Sequence, residues 1–148
     1  MTKQRVFKEN DRDYITRTVI HSFLNGSKEA QKIHKDSYMH AHNKTVNGLL
    51  DNCNCGVICD SEDEDLIYGF VIFENLKDYD VLHYIYVRKE FRGKDVAGLM
   101  LKAMKSENGS VAISHQTDDF RPARLKKYWN SKVIYDPYLR GNAYRRLH

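Results

Sequence analysis

The stretch from Val81 to Met104 constrains the chain most, because a strand pattern passes into a helix pattern across one short basic turn. Val81 to Val87 (Val-Leu-His-Tyr-Ile-Tyr-Val) is dense in β-branched and aromatic residues, with Asp80 before it and charges after it. Such a composition suits a pleated, half-buried strand. Downstream, Val96, Leu99, Met100, Ala103 and Met104 recur at helical spacing, with Lys94, Asp95, Lys102 and Lys105 on the opposite side. That is an amphipathic helix. Between them lies Arg92-Gly93-Lys94, which opens onto the helix N-terminus. The unpaired N–H groups and positive dipole end of such a junction suit a phosphate.

Periodicity orders the rest around this unit. Gln4 to Lys8 reads as a strand, and Asn10 with Asp13 reads as an N-cap opening a helix. That helix carries Ile15, Val19, Ser22 and Phe23 on one face and stops at Asn25-Gly26. A second, polar helix is predicted from Lys28 to about Leu50, with His34, Tyr38 and His42 on one stripe and an interruption at Asn47-Gly48. Cys53 to Cys59 and Leu66 to Glu74 form an antiparallel hairpin across the acidic turn Ser61–Asp65. After the Val96–Ser106 helix come a strand at Ser110 to His115, a helix capped near Thr117–Asp119 and a late strand at Lys132 to Tyr135. Pro122 falls in the first turn of that last helix, where its missing N–H costs little. The predicted order is β-α-α-β-β-β-α-β-α-β.

The strand-turn-helix residues carry a family resemblance. Tyr86-Val87, then Phe91-Arg92-Gly93-Lys94-Asp95-Val96-Ala97, then Gly98-Leu99-Met100-Leu101 resemble the signature of the GCN5-related N-acetyltransferases, or GNAT family. The resemblance covers nearly the whole chain and implies one α/β domain over residues 1–148. In that fold a central, mostly antiparallel mixed sheet is flanked by helices, and here a basic tail follows from about residue 137. It also implies acetyl-coenzyme A as donor substrate, with Arg92 to Ala97 holding the diphosphate and the backbone of Ile85, Tyr86 and Val87 aligning the pantetheine. The acceptor would be a primary amine on a small molecule or protein. His83 stands where the family often has a glutamate base, with Glu90 a weaker candidate, and Tyr128 falls where a tyrosine acid is common.

The sequence departs from the family pattern at several positions. Asp95 replaces the usual glycine of the diphosphate loop, Lys132-Val133 stands for a Gly-Phe pair, and Arg121 for an asparagine. A carboxylate about 5 Å from a phosphate charge repels it by roughly 3 kcal/mol at an effective dielectric of 20. In the first helical turn the same carboxylate favours the dipole by about 0.3–1 kcal/mol. An alternative therefore stands beside the enzyme: a GNAT-fold structural component of a larger assembly, without coenzyme chemistry and joined to a protein partner or to copies of itself. His83 alternating with Leu82 and Tyr84 on a strand face, and Tyr128 packing beside Trp129, would suit that alternative equally.

Composition narrows the remaining classes. At 148 residues, 41% hydrophobic and 30% charged, the chain can bury a sizeable core. It has no run of about 18 apolar residues, so no membrane helix is expected. The first residues lack the apolar segment of a signal peptide, and three cysteines fit a reducing setting, so a cytoplasmic location is the expectation. A net charge of +4 suits an anionic ligand without arguing for nucleic acid, although the basic, aromatic tail from Arg140 to Arg146 leaves that reading open. No metal is expected. Cys53, Cys55 and Cys59 share a period-2 face with Val57, and their spacing is poor for zinc. The Asp60–Asp65 run matches no calcium loop.

Overall fold

Six strands form one sheet in the order β1-β2-β3-β4-β5-β6 in the computed structural model, which describes residues 2–26, 31–76, 79–92, 96–104, 110–115 and 132–136. The strands are β1 (Thr2–Val6), β2 (Asn54–Asp60), β3 (Ile67–Asn75), β4 (Asp80–Val87), β5 (Ser110–Ile113) and β6 (Lys132–Tyr135). Helices α1 (Arg12–Gly26) and α2 (Lys35–Asn52) precede β2, and α3 (Val96–Ala103) joins β4 to β5. Pairings from β1 to β4 are antiparallel, whereas β4–β5 and β5–β6 are parallel. The expected mixed, mostly antiparallel sheet is therefore present. Gly93, Lys94, Asp95, Tyr128 and the basic tail lie outside the described residues, as does the helix predicted after Asp119.

The sheet is buried on both faces. Ile15, Val19, Ile20 and Phe23 of α1 and Tyr38, Val46, Leu49 and Leu50 of α2 cover Cys55, Val57, Cys59, Ile67, Phe70, Ile72 and Tyr84. On the other face Val96, Met100 and Met104 pack on Ile58, Tyr68, Val71, Leu82, Val111, Ile113 and Val133. Of the predicted apolar stripes, Ile15, Val19 and Phe23 of α1 and Val96, Met100 and Met104 at α3 are core, whereas Ser22 and Leu99 are exposed. Gly69 matters for closeness rather than freedom. A Cβ there would stand 2.5 Å from the Tyr86 carbonyl oxygen. Only glycine lets β3 lie that near the end of β4.

Several local expectations are corrected. Asn10 is not the helix cap: Glu9–Asp11 forms a 3-10 turn, and the Asp11 carboxylate accepts from Lys8 N–H at 2.9 Å. That earlier cap wins because Asp11 also takes both terminal nitrogens of Arg5, at 2.7 and 2.9 Å. The helix predicted from Lys28, a residue outside the described ones, is broken after the helical Gln31 at residues 32–34, and α2 then runs from Lys35 unbroken through Asn47-Gly48 to Asn52. Gly48 is buried there, and tertiary packing overrides its low propensity. Cys53 is the C-cap of α2 rather than a strand residue, its N–H bonding Leu49 O at 2.7 Å.

The correction with most consequence is a bulge. Ile72 pairs with Tyr84 but Phe73 pairs with Leu82, so His83 is an extra residue in β4. Strict alternation would place Leu82 and Tyr84 on one face, but they belong to opposite cores. A bulge bends its strand and increases local twist. Beyond it β4 leaves β5. Their pairing covers Asp80 to Leu82, followed by one bond from Ser114 N–H to Leu82 O at 3.2 Å.

Candidate active site

The parting of β4 from β5 makes the site. Ile85, Tyr86 and Val87 still pair with Val71, Phe70 and Gly69 of β3 on one side. Among the described residues no strand pairs with them on the other. A pocket opens there, lined by Val19, Ser22 and Phe23 of α1, by Tyr84, Ile85 and Tyr86, and by His115 just after β5. Helix α1 supplies one wall because its buried stripe ends in Phe23, which meets Tyr84 edge-to-face at 6.5 Å.

The residues expected to touch a donor are only partly juxtaposed with this pocket. Tyr86 and Ile85 line it, and Val87 ends the same strand. Arg92 is exposed, its Nε donating to Val87 O at 2.9 Å and its guanidinium carbon 5.9 Å from the Tyr86 ring. The cation expected at the diphosphate turn thus lies folded along the end of β4. Val96 is buried as the first residue of α3, and Ala97 follows in the same helix. Glu90 is exposed, 3.6 Å from Arg88, and does not line the pocket.

His83 is fully buried and does not line the pocket either. Its Nδ1 lies 2.6 Å from Ser114 Oγ, and its Nε2 lies 3.4 Å from Glu74 Oε2. Ser114 Oγ is also 2.9 Å from Nδ1 of His115. One hydroxyl proton cannot serve two acceptors, so at least one of these imidazoles carries its proton on Nδ1 and donates to Ser114. The chain of contacts therefore runs from buried Glu74 through His83 and Ser114 to the pocket wall at His115.

A ring cluster fixes that wall. The His115 ring stacks on Tyr84 at 4.2 Å and meets Phe23 and His42 edge-on at 5.4 Å. Tyr84 Oη lies 2.5 Å from His42 Nε2, and His42 stacks with Phe23 and with Tyr38 at 5.1 Å from each, those two rings lying 6.3 Å apart. Aromatic pairs at such distances add about 0.5–1.5 kcal/mol beyond their burial. His42 and Tyr38 were legible as one stripe of α2. His115 and Ser114 were not singled out, because a Ser-His pair at a strand end carries no local signal. Their significance comes from β4 ending its pairing beside them.

Cys53, whose Sγ is 3.0 Å from Glu74 Oε2, completes this polar group on the far side. Cys55 and Cys59 pack with Val57 in the core as expected, and burial pushes the Cys55 thiol up to about 12.

No protein-family model and no curated sequence matches the chain. Solved structures do. A protein assigned as an acetyl transferase from Pyrococcus furiosus is 18% identical with a TM-score of 0.58, over 86% of this chain and 89% of that one. The ribosomal-protein-alanine N-acetyltransferase of Brucella melitensis is 14% identical with a TM-score of 0.53, over 100% and 89%. A predicted acetyltransferase from Clostridium acetobutylicum, solved with acetyl-CoA, is 13% identical with a TM-score of 0.53, over 86% and 88%. At these identities the likeness is one of architecture: the chain has the fold of the GNAT acetyltransferases.

Proposed function

We propose that this protein transfers an acetyl group from acetyl-coenzyme A to a primary amine. The observation that carries the reading is the parting of β4 from β5, with a pocket formed at the split. An extended pantetheine can add to β4 along Ile85 to Val87 as a further strand would. The turn from Arg92 through Gly93, Lys94, Asp95 and Val96 to Ala97 would take the diphosphate at the N-terminus of α3. Acetyl-CoA in the Clostridium acetobutylicum structure of the same fold supports this donor.

Chemically, a neutral amine attacks the thioester carbonyl, a C–N bond forms, the C–S bond breaks, and the amine proton must leave. His115, on the pocket wall with Nδ1 held by Ser114, is placed to take that proton, directly or through water. His83, the base expected from the family pattern, would act behind it by orienting Ser114. Tyr128 would protonate the departing thiolate. Asp95 supports a second reading, in which the fold is kept without coenzyme binding.

Thermal unfolding with and without acetyl-CoA, in the wild type and in Asp95→Gly, separates the two. At about 100 times its dissociation constant a ligand adds roughly 2.7 kcal/mol. A rise in Tm for the wild type, with coenzyme A released on adding a panel of primary amines, is expected. A rise only in Asp95→Gly would support the second reading, and none in either would end the first.

A further inference from the structure

Three donors of the kind that bind zinc converge where the sequence showed no zinc spacing. Cys53 Sγ, a Glu74 carboxylate oxygen and a His83 ring nitrogen all lie within 4.8 Å of one another. They come from the C-cap of α2, from β3 and from the bulge of β4. Without the extra residue at position 83 the strand would keep its alternation, so the bulge and this convergence belong together. We infer that Cys53, Glu74 and His83 form a binding site for a borderline divalent cation, zinc first.

Geometry and charge both favour this. Bonds of about 2.0–2.3 Å at a tetrahedral centre place donors about 3.3–3.6 Å apart. Two of the observed separations, 3.0 Å for sulfur to oxygen and 3.4 Å for nitrogen to oxygen, come within about half an ångström of this, and the sulfur lies within 4.8 Å of the ring nitrogen. Glu74 and His83 are buried and Cys53 is half-buried. A thiolate and a carboxylate together carry two negative charges, which a zinc ion matches. The thiolate and imidazole select zinc over magnesium or calcium, which prefer oxygen.

The surrounding bonds also match. A metal-bound histidine donates its other ring N–H to a fixed acceptor, which sets its tautomer. Here Ser114 Oγ sits 2.6 Å from His83 Nδ1. With the proton on Nδ1, the Nε2 lone pair faces Glu74 Oε2, another acceptor. A cation between them turns that repulsion into attraction. Three protein donors leave one position for water. The site would tie the end of α2 to the two strands beside the pocket, independently of whether acetyl-CoA binds.

The test uses the full chain, stripped with chelator and titrated with cobalt(II) or zinc(II) chloride alone. Cobalt is expected to give a thiolate charge-transfer band and tetrahedral d–d bands that saturate at one equivalent. Zinc should displace the cobalt and raise the Tm. Cys53→Ser should abolish the thiolate band while Cys55→Ser keeps it, and Ser114→Ala should weaken zinc by about 10–100-fold with the band retained. If Cys53→Ser does not fold, Glu74→Gln provides the second reading, with weaker zinc binding expected. No saturable band in the wild type, or a band that survives Cys53→Ser, would overturn the inference.

Discussion

Two buried polar clusters of this molecule make an instructive pair. At the β1 edge, Arg5 and Asp11 form a two-point ion pair with side chains only 8% and 6% exposed, and outside it a partly exposed Glu64 pairs with both Lys3 and Lys8. At the bulge of β4, Glu74, His83, Ser114 and His115 meet in an equally buried group. The first is built from charges that stay fixed near neutral pH and match each other. The second is built around two imidazoles, each with one ring nitrogen able to donate and one able to accept a hydrogen bond. One closes a corner of the fold, and the other reaches the wall of a pocket. Burial alone does not separate a structural cluster from a candidate reactive one; the donor and acceptor chemistry of its members and its connection to open space do.

That contrast can be broken by experiment. His115→Gln should lower kcat for acetyl transfer by about 10²–10⁴-fold, the usual range for a general base, while acetyl-CoA still raises the Tm. A loss of acetyl-CoA binding instead would make His115 part of the fold rather than of the chemistry. Arg5→Ala should do the reverse. It leaves Asp11 as a buried carboxylate without its guanidinium and should cost about 3–5 kcal/mol in urea unfolding. Acetyl-CoA binding by the folded fraction should be unchanged.

Acid sharpens the same difference more gently. Burial alone would push the Asp11 carboxyl up, but the hydrogen bonds from Arg5 and from Lys8 N–H outweigh it and hold the group below its ordinary range. Bonds from Lys3 and Lys8 lower Glu64 to about 2. Both groups are thus more acidic folded than unfolded, so the unfolded chain binds more protons between the two values. The stabilisation from Glu64 is present above about pH 4.5 and is lost as the pH falls towards about 2, and that from Asp11 is likewise lost as the pH falls below its ordinary range. Urea midpoints measured down that range should fall in the wild type, and less steeply in Glu64→Gln. The smallest effect is expected from Tyr84→Phe, which removes the hydroxyl beside His42. A loss of about 0.5–1.5 kcal/mol in urea unfolding is expected, and no change would show that the ring stacking alone holds that wall.

How much could be read in advance depended on how local the cause was. Strand β4 and helix α3 follow from residue type and period, and the stop of α1 at Asn25-Gly26 was legible for the same reason. The break at residues 32–34 before α2 was missed because propensity does not mark where packing begins. The N-cap of α1 was missed because Asp11 is chosen by Arg5 on a neighbouring strand. The pocket residues Tyr86 and Ile85 could be named from the turn motif. His115 could not, since its role depends on where β5 stops pairing with β4.

The cysteines show the division most clearly. In the sequence Cys53, Cys55 and Cys59 look alike, spaced two and four residues apart. In the fold Cys55 and Cys59 pack in the core, whereas Cys53 caps α2 and meets Glu74. The sequence by itself determined the order of the described strands and helices and the core-facing side of α1, because these rest on periodicity and on residues close along the chain. Tertiary structure alone decided the bulge at His83, the parting of β4 from β5, and the meeting of Cys53, Glu74, His83, Ser114 and His115. The physical reason is register: one extra residue in β4 turns side chains far apart in sequence towards one another, and no local pattern encodes which partner strand will skip a place.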